Sequence, residues 1–223
     1  MVALRQKRAE VDRMGQTIIG VDLSGPGSAA HTSVAVFREQ GGALDLLELV
    51  AGANDQAILD RVPAGAIVGL DAPLSYSPIG GSRTSDQSLR RVAVEHGLPA
   101  GTVMAPSAPR MAYLTLRGVA VSRMLRSERP DARVVEVHPT VAMVLRDASV
   151  ATLKAMKHDS AARRELLVWL EGQGLHGVCD LDQVSDHSVA ACAAAVAAWW
   201  WSQGSPAWVH PAEPPLHPFD FAC

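Results

Sequence analysis

Residues 17–37 read TIIGVDLSGPGSAAHTSVAVF. An apolar run rich in β-branched residues ends on a carboxylate, Asp22, and a loop of small residues follows before a second apolar run opens at Thr32. Short β-branched runs bounded by turn residues predict strands over 17–22 and 32–38. After the turn signal EQGG, residues 44–50 (LDLLELV) predict a third strand, and two short connections make the three an antiparallel meander. Residues 54–61 open on the capping residue Asn54 and carry helical spacing, VPAG breaks them, and 66–71 (AIVGLD) predict a buried fourth strand that again ends on an acid, Asp71. Strand, helix, strand in that order implies a parallel crossover.

Downstream, a Pro-, Gly- and Ser-rich stretch begins an insertion at about residues 73–130, with helices expected near 86–96 and over 107–126. Loops of that length inside a compact domain are usually functional or inserted. Residues 132–138 (ARVVEVH) predict a fifth strand, and Pro139 suits the first turn of the helix that follows it. A further helix is expected over 160–172, and an Ala-rich one starts at Ser185 or Asp186. The expected fold class is α/β: a five-stranded mixed sheet flanked by helices, formed by residues 16–203. A basic leader (1–15) precedes it, and a Pro-rich tail (204–223) wanders over the surface with at most a short strand at AWV.

Bulk composition narrows the function classes. No stretch of the 223 residues is long and apolar enough to span a bilayer, and the leader carries Arg5, Lys7, Arg8 and Arg13 without an apolar region behind them, so a soluble, cytoplasmic protein is expected. Three cysteines without C-x-x-C spacing argue against a disulfide framework or a structural zinc site. The net charge of −3 excludes a globally basic nucleic-acid binder, yet residues 83–133 hold nine arginines against four acids. Such a patch suits either phosphates or solvent.

Four acids occupy comparable positions. Asp22 and Asp71 close apolar strands, Glu136 lies late in the fifth strand, and Asp186 opens the last helix. Ligands of α/β sheets bind at the carboxyl ends of strands. If the first and fourth strands are parallel neighbours, Asp22 and Asp71 meet, and two such carboxylates share a proton or bind a cation. Oxygen ligands suit Mg²⁺ or Mn²⁺, which keep positions open for water and phosphate. Taken singly, Asp22 and Asp71 also suit turns, and Asp186 suits an ordinary helix N-cap.

Seven stretches carry a family resemblance: GVDLSG, GLDAPLS, RTSDQSLRR, MAPSAPRM, EVHPTVA, MKHDSAARRELL and SDHSVAACAAAVAAW, in order from about residue 17 to 201. In them the chain resembles the ribonuclease H-like superfamily, and more closely a domain-of-unknown-function family of predicted ribonuclease H-like nucleases. The resemblance implies that the first strand lies beside the fourth, and that the inherited chemistry is metal-dependent phosphodiester hydrolysis by two metals. It implies Asp22, Asp71 and Asp186 as ligands, with Glu136 as a further catalytic candidate. His187 stands after Asp186 where a small residue is expected, as a bystander or as a modifier of metal preference.

The remaining polar candidates contact substrate in this reading. Arg83, Asp86 and Arg90 fall on one helical face, either a surface ion pair or a phosphate clamp. Lys157, with Arg163 and Arg164, forms a second basic cluster. His138 sits at a strand end, as a substrate contact or a structural hydrogen-bonding residue. Ser24, in the loop SGPGS, is a phosphate-cradle candidate, although the loop also suits a tight exit from the strand. Three consecutive tryptophans, Trp199 to Trp201, point about 100° apart on a helix and form no single stacking platform. Burial or contact with a second copy of the chain in a homo-oligomer accounts for them better. Two other functions stay open: a phosphotransferase with the actin-like ATPase sheet, against which stand the short length and the absence of a Gly-Gly adenosine signature, and a non-catalytic binding or scaffold module.

Overall fold

The computed structural model describes residues 15–223; the expected basic leader, apart from Gly15, lies outside the described residues. In chain order the elements are β1 (Thr17–Asp22), β2 (Ser33–Gln40), β3 (Ala43–Ala51), α1 (Asp55–Asp60), β4 (Ile67–Asp71), α2 (Thr84–Glu95), α3 (Ala112–Glu128), β5 (Arg133–Val137), α4 (Pro139–Val144), α5 (Val150–Ala155), α6 (Ser160–Gly172), β6 (Leu175–His176), α7 (Asp186–Ser202), β7 (Val209–His210) and β8 (Phe221–Ala222). The mixed α/β fold is built on one eight-stranded sheet of order β6-β3-β2-β1-β4-β5-β8-β7.

At its centre lie the five expected strands. β2 runs antiparallel to β1 and β3, whereas β4 pairs with β1 and β5 in parallel. The β2–β3 hairpin turns on Gly41 and Gly42, whose φ of 62° and 82° match the primed turn that strand twist favours. Among the described residues the sheet has eight strands, not the expected five. β6 extends the β3 edge, and β8 and β7 extend the β5 edge. The Pro-rich segment therefore returns to the sheet instead of wandering over the surface, pairing Glu136 with Phe221 and Val137 with Ala222. Helix α3 begins at Ala112, not Ser107: Pro109 biases the residue before it away from helix, and the segment closes in turns instead, the Ala108 N–H donating to the Ala105 carbonyl and the Met111 N–H to the Ala108 carbonyl.

Alternation of side chains gives the sheet two covered faces. Ile18, Phe37, Ile67 and Val135 enter one core with α2 and α4 to α7, while Ile19, Val34, Val68 and Leu70 enter another with α1 and α3. Each fully buried Ile, Leu or Val adds about 1.5–3 kcal/mol, so the two faces together dominate the stability. Trp199 and Trp200 are buried within this chain, and Arg146 lies over the Trp200 ring at 3.9 Å.

Two glycines set the approach of α7. Gly20 of β1 and Gly69 of β4 are cross-strand partners. A Cβ on Gly20 would stand 2.0 Å from the Ala191 carbonyl oxygen, and one on Gly69 would stand 2.5 Å from that of Ala194. The Ala-rich helix thus lies backbone-close across the parallel pair. Ala191 and Ala195 cross Gly20 in mid-strand, and the helix delivers Asp186 and His187 to the ends where β1 and β4 stop.

Candidate active site

β1 and β4 end in register, so Asp22 and Asp71 are direct parallel partners. Their carboxylates are within hydrogen-bond reach of each other. Burial pushes Asp71 well above the usual carboxylate range, and the charge of Asp22 pushes it further. Asp22 is also raised, by burial first, although its bond to His187 opposes the shift.

The third element is the N-terminus of α7. Ser185 caps it, its Oγ accepting from the Ser188 N–H at 3.0 Å. Asp186 follows in the first turn, where the helix dipole favours an anion, and it is close enough to Asp22 to oppose ionisation there. His187 reaches Asp22: Nδ1 lies 2.6 Å from Oδ2. Its Nε2 is 3.9 Å from Asp186 Oδ1, and its ring stacks on His31 with centroids 5.2 Å apart. The hydrogen bond to Asp22 raises the His187 pKa, so the pair holds a proton more tightly than a solvated imidazole does. Lys157 is exposed and near enough to oppose that shift by its charge.

Glu136 and Arg83 belong to a different arrangement. Arg83 is 5% exposed and caps α2, and all five of its N–H donors are spent on protein. Nη2 donates to Glu136 Oε1 at 2.5 Å and to Asp86 Oδ1 at 2.6 Å. Nη1 donates to Glu136 Oε2 at 2.8 Å and to Ser75 Oγ at 2.9 Å, and Nε donates to Asp86. Glu136 also accepts from the Leu74 N–H at 2.9 Å. Arg83 has no donor left for a phosphate in this geometry, and both Glu136 oxygens are engaged.

The other candidates are likewise held by their surroundings. Arg90 donates from Nε and Nη2 to the Val103 carbonyl at 2.9 and 2.8 Å, and from Nη2 to Ser82 Oγ at 2.9 Å. Ser24 Oγ donates to the Ser28 carbonyl at 2.7 Å, closing its loop on itself. That loop is anchored by Arg117, a buried residue that sequence reading counted only among the arginines. Arg117 binds the Ser24 carbonyl and Thr32 Oγ1, both at 2.8 Å, and Asp55 Oδ1 at 2.8 Å. His138 bonds through Nε2 to the Thr102 carbonyl at 3.0 Å.

The structure therefore brings Asp22 and Asp71 together, sets Asp186 and His187 beside them, and separates Glu136 into an ion-pair network. Among the described residues, no three His, Cys, Asp or Glu side chains are drawn tightly enough together to hold a metal ion. Two of the three expected ligands form a pair, and Asp186 is a near neighbour. No helix of the described residues is long and apolar enough to cross a membrane.

Residues 20–215 match the family model described as "Protein of unknown function (DUF429)". No curated protein and no solved structure matches the chain.

Proposed function

The chain belongs to the DUF429 family of proteins of unknown function, and from its site we propose metal-dependent hydrolysis of phosphodiester bonds in nucleic acid, on a sheet of ribonuclease H-like order. The observation that carries this reading is the in-register pair of half-buried carboxylates, Asp22 and Asp71, at the ends of adjacent parallel strands. Both are pushed toward protonation, and a hard divalent cation is the other way to relieve them. The strand order β3-β2-β1-β4-β5, with β2 reversed, supports the same reading.

Asp22 and Asp71 would hold Mg²⁺ or Mn²⁺, with Asp186 as the further candidate ligand near Asp22. When bound, the metal supplies an activated water and charge neutralisation at the phosphate. His187 Nδ1, bonded to Asp22, holds a proton at the edge of the site, and a cation seated on Asp22 would take the place of that bond. Lys157, exposed beside His187, meets the phosphate backbone as a point charge. Arg83 and Glu136 act by position: the Leu74 N–H bonded to Glu136 fixes the chain as it leaves Asp71.

The test is cleavage of RNA and DNA with added Mg²⁺ or Mn²⁺. Asp22→Asn is expected to lower the rate by more than the roughly 100-fold that loss of an outer metal-site partner costs, with an unchanged circular dichroism spectrum. Undiminished cleavage by the folded variant removes the reading.

A further inference from the structure

Helix α3 lies in the longest acid-free stretch of the chain: residues 96–127 contain four arginines and no aspartate or glutamate. Arg117 is spent inside the fold, but Arg110, Arg123 and Arg126 are exposed and enter no ion pair among the described residues. Apolar residues share the exposed face with them. Tyr113 is 71% exposed and Leu116 63%. Ala120 and Arg123, both exposed, follow at the spacing that puts all four on one stripe, about 15 Å long at 1.5 Å per residue.

Position ties that stripe to the acid pair. A Cβ on Gly118 would stand 2.5 Å from the Pro73 carbonyl oxygen, so α3 lies backbone-close on the chain just after Asp71. Because α3 runs from there toward the start of β5, residues 112–117 stand beyond the ends of β1 and β4. Tyr113 Cβ is 3.9 Å from where a Cβ on Gly25 would be, and Gly25 belongs to the loop that leaves Asp22.

Beside Leu116 a groove of about 590 Å³ runs between Pro26 of the same loop, the start of α1 at Asn54 to Gln56, and Ala120. A benzene ring occupies engineered cavities of ~150 Å³, so the groove has room for a nucleobase. Its one acid, Asp55, is held by Arg117 at 2.8 Å. Exposed arginines around an apolar face match a polyanion whose rings are free to stack. A duplex keeps its base faces inside and would leave Tyr113 and Leu116 against phosphate and water, whereas an unpaired strand can splay its bases onto them.

We propose that this face of α3 and the groove beside it form a platform for single-stranded nucleic acid, with unpaired bases on Tyr113 and Leu116 and phosphates on Arg110 and Arg123. The strand that reaches Asp22 and Asp71 is then an unpaired one. The inference rests on the nucleic-acid reading of the site and adds to it the form of the polymer.

The experiment is fluorescence anisotropy in EDTA, which prevents metal-dependent cleavage, with one labelled oligodeoxyribonucleotide of mixed sequence, free and annealed to its complement. The free strand should bind about tenfold tighter than the duplex. Tyr113→Ala should weaken the free strand about tenfold and the duplex by less than about twofold, and Tyr113→Phe, which keeps the ring, should preserve the preference. Val168→Ala, a comparably exposed apolar site on α6 across the sheet, should change neither affinity. Equal or tighter binding of the duplex, no binding of either probe, a preference that survives in Tyr113→Ala, or a loss in Tyr113→Phe as large as in Tyr113→Ala overturns the proposal. So does a dimer that Tyr113→Ala dissociates in sedimentation while neither probe binds, which gives the face to a second copy of the chain. The two probes on the parent protein decide the matter if a variant does not fold. Because the readout is metal-free binding, a strand preference without any cleavage in Mn²⁺ counts against the nuclease reading alone.

Discussion

Two groups of carboxylates lie near the ends of the parallel strands β1, β4 and β5, one of them completed by Asp86 of α2, and they are treated in opposite ways. Glu136 and Asp86 close on Arg83, which gives every donor it has to them and to Ser75. Asp22 and Asp71 face each other without a guanidinium, and the nearest counter-charge is a histidine that must first hold a proton. A buried charge with matched partners is a structural joint, because removing either side strands the other. A half-buried pair of like charges is a standing cost that a cation or proton relieves, and uncompensated groups of that kind concentrate at functional sites.

The largest way to break this contrast is to strand the joint. Arg83→Ala leaves Glu136 and Asp86 buried without their cation, and is expected to lower unfolding free energy by about 3–5 kcal/mol in urea denaturation. Next comes Gly20→Ala, whose methyl would press into the α7 backbone 2.0 Å from the Ala191 carbonyl. Overpacking of this kind costs about 1–3 kcal/mol, and it should push Asp186 and His187 off the acid pair while the Arg83 joint stays intact. Loss of stability and of activity together, with no change in helix content, is the expected result.

The smallest effect has the opposite sign. Without metal, Asp71 and His187 both have raised pKa values, so each contributes stability at low pH that is lost as pH rises. For Asp71 the loss begins above the unfolded carboxylate value of about 4, and for His187 above about 6.5. The melting temperature of the metal-free protein should therefore decline as pH climbs through that window. Asp71→Asn, which relieves the like-charge contact, should melt a few degrees higher than the parent at neutral pH and flatten the decline. A variant that melts lower there would show that Asp71 belongs to a satisfied network like that of Glu136.

The same contrast explains what was legible in the sequence. β1 to β5 announce themselves because five to nine residues carry the alternation that two covered faces require. β6, β7 and β8 are two residues each and carry no period, so eight strands read as five. Asp22 and Asp71 were visible as a candidate pair because each ends a strand, while the neighbourhood of those strands came from the family resemblance and not from the residues alone. Arg83 was not legible as a buried joint, since its partners Glu136 and Ser75 arrive from other elements and charged residues in a Ser-rich stretch default to solvent. His187 drew notice by its place after Asp186, but its bond to Asp22 spans 165 residues and has no local signature. The closeness of α7 was written in Gly20, Gly69 and the alanines, a signal recognisable once strand and helix are known to touch.

The central claim is that Asp22 and Asp71 together seat a divalent cation. Titrating Mn²⁺ into the protein by isothermal calorimetry, beside the double variant Asp22→Asn, Asp71→Asn, tests it most directly. The account predicts saturable binding by the parent and none by the folded double variant. Absence of binding at millimolar Mn²⁺, or equal affinity in both proteins, would contradict it.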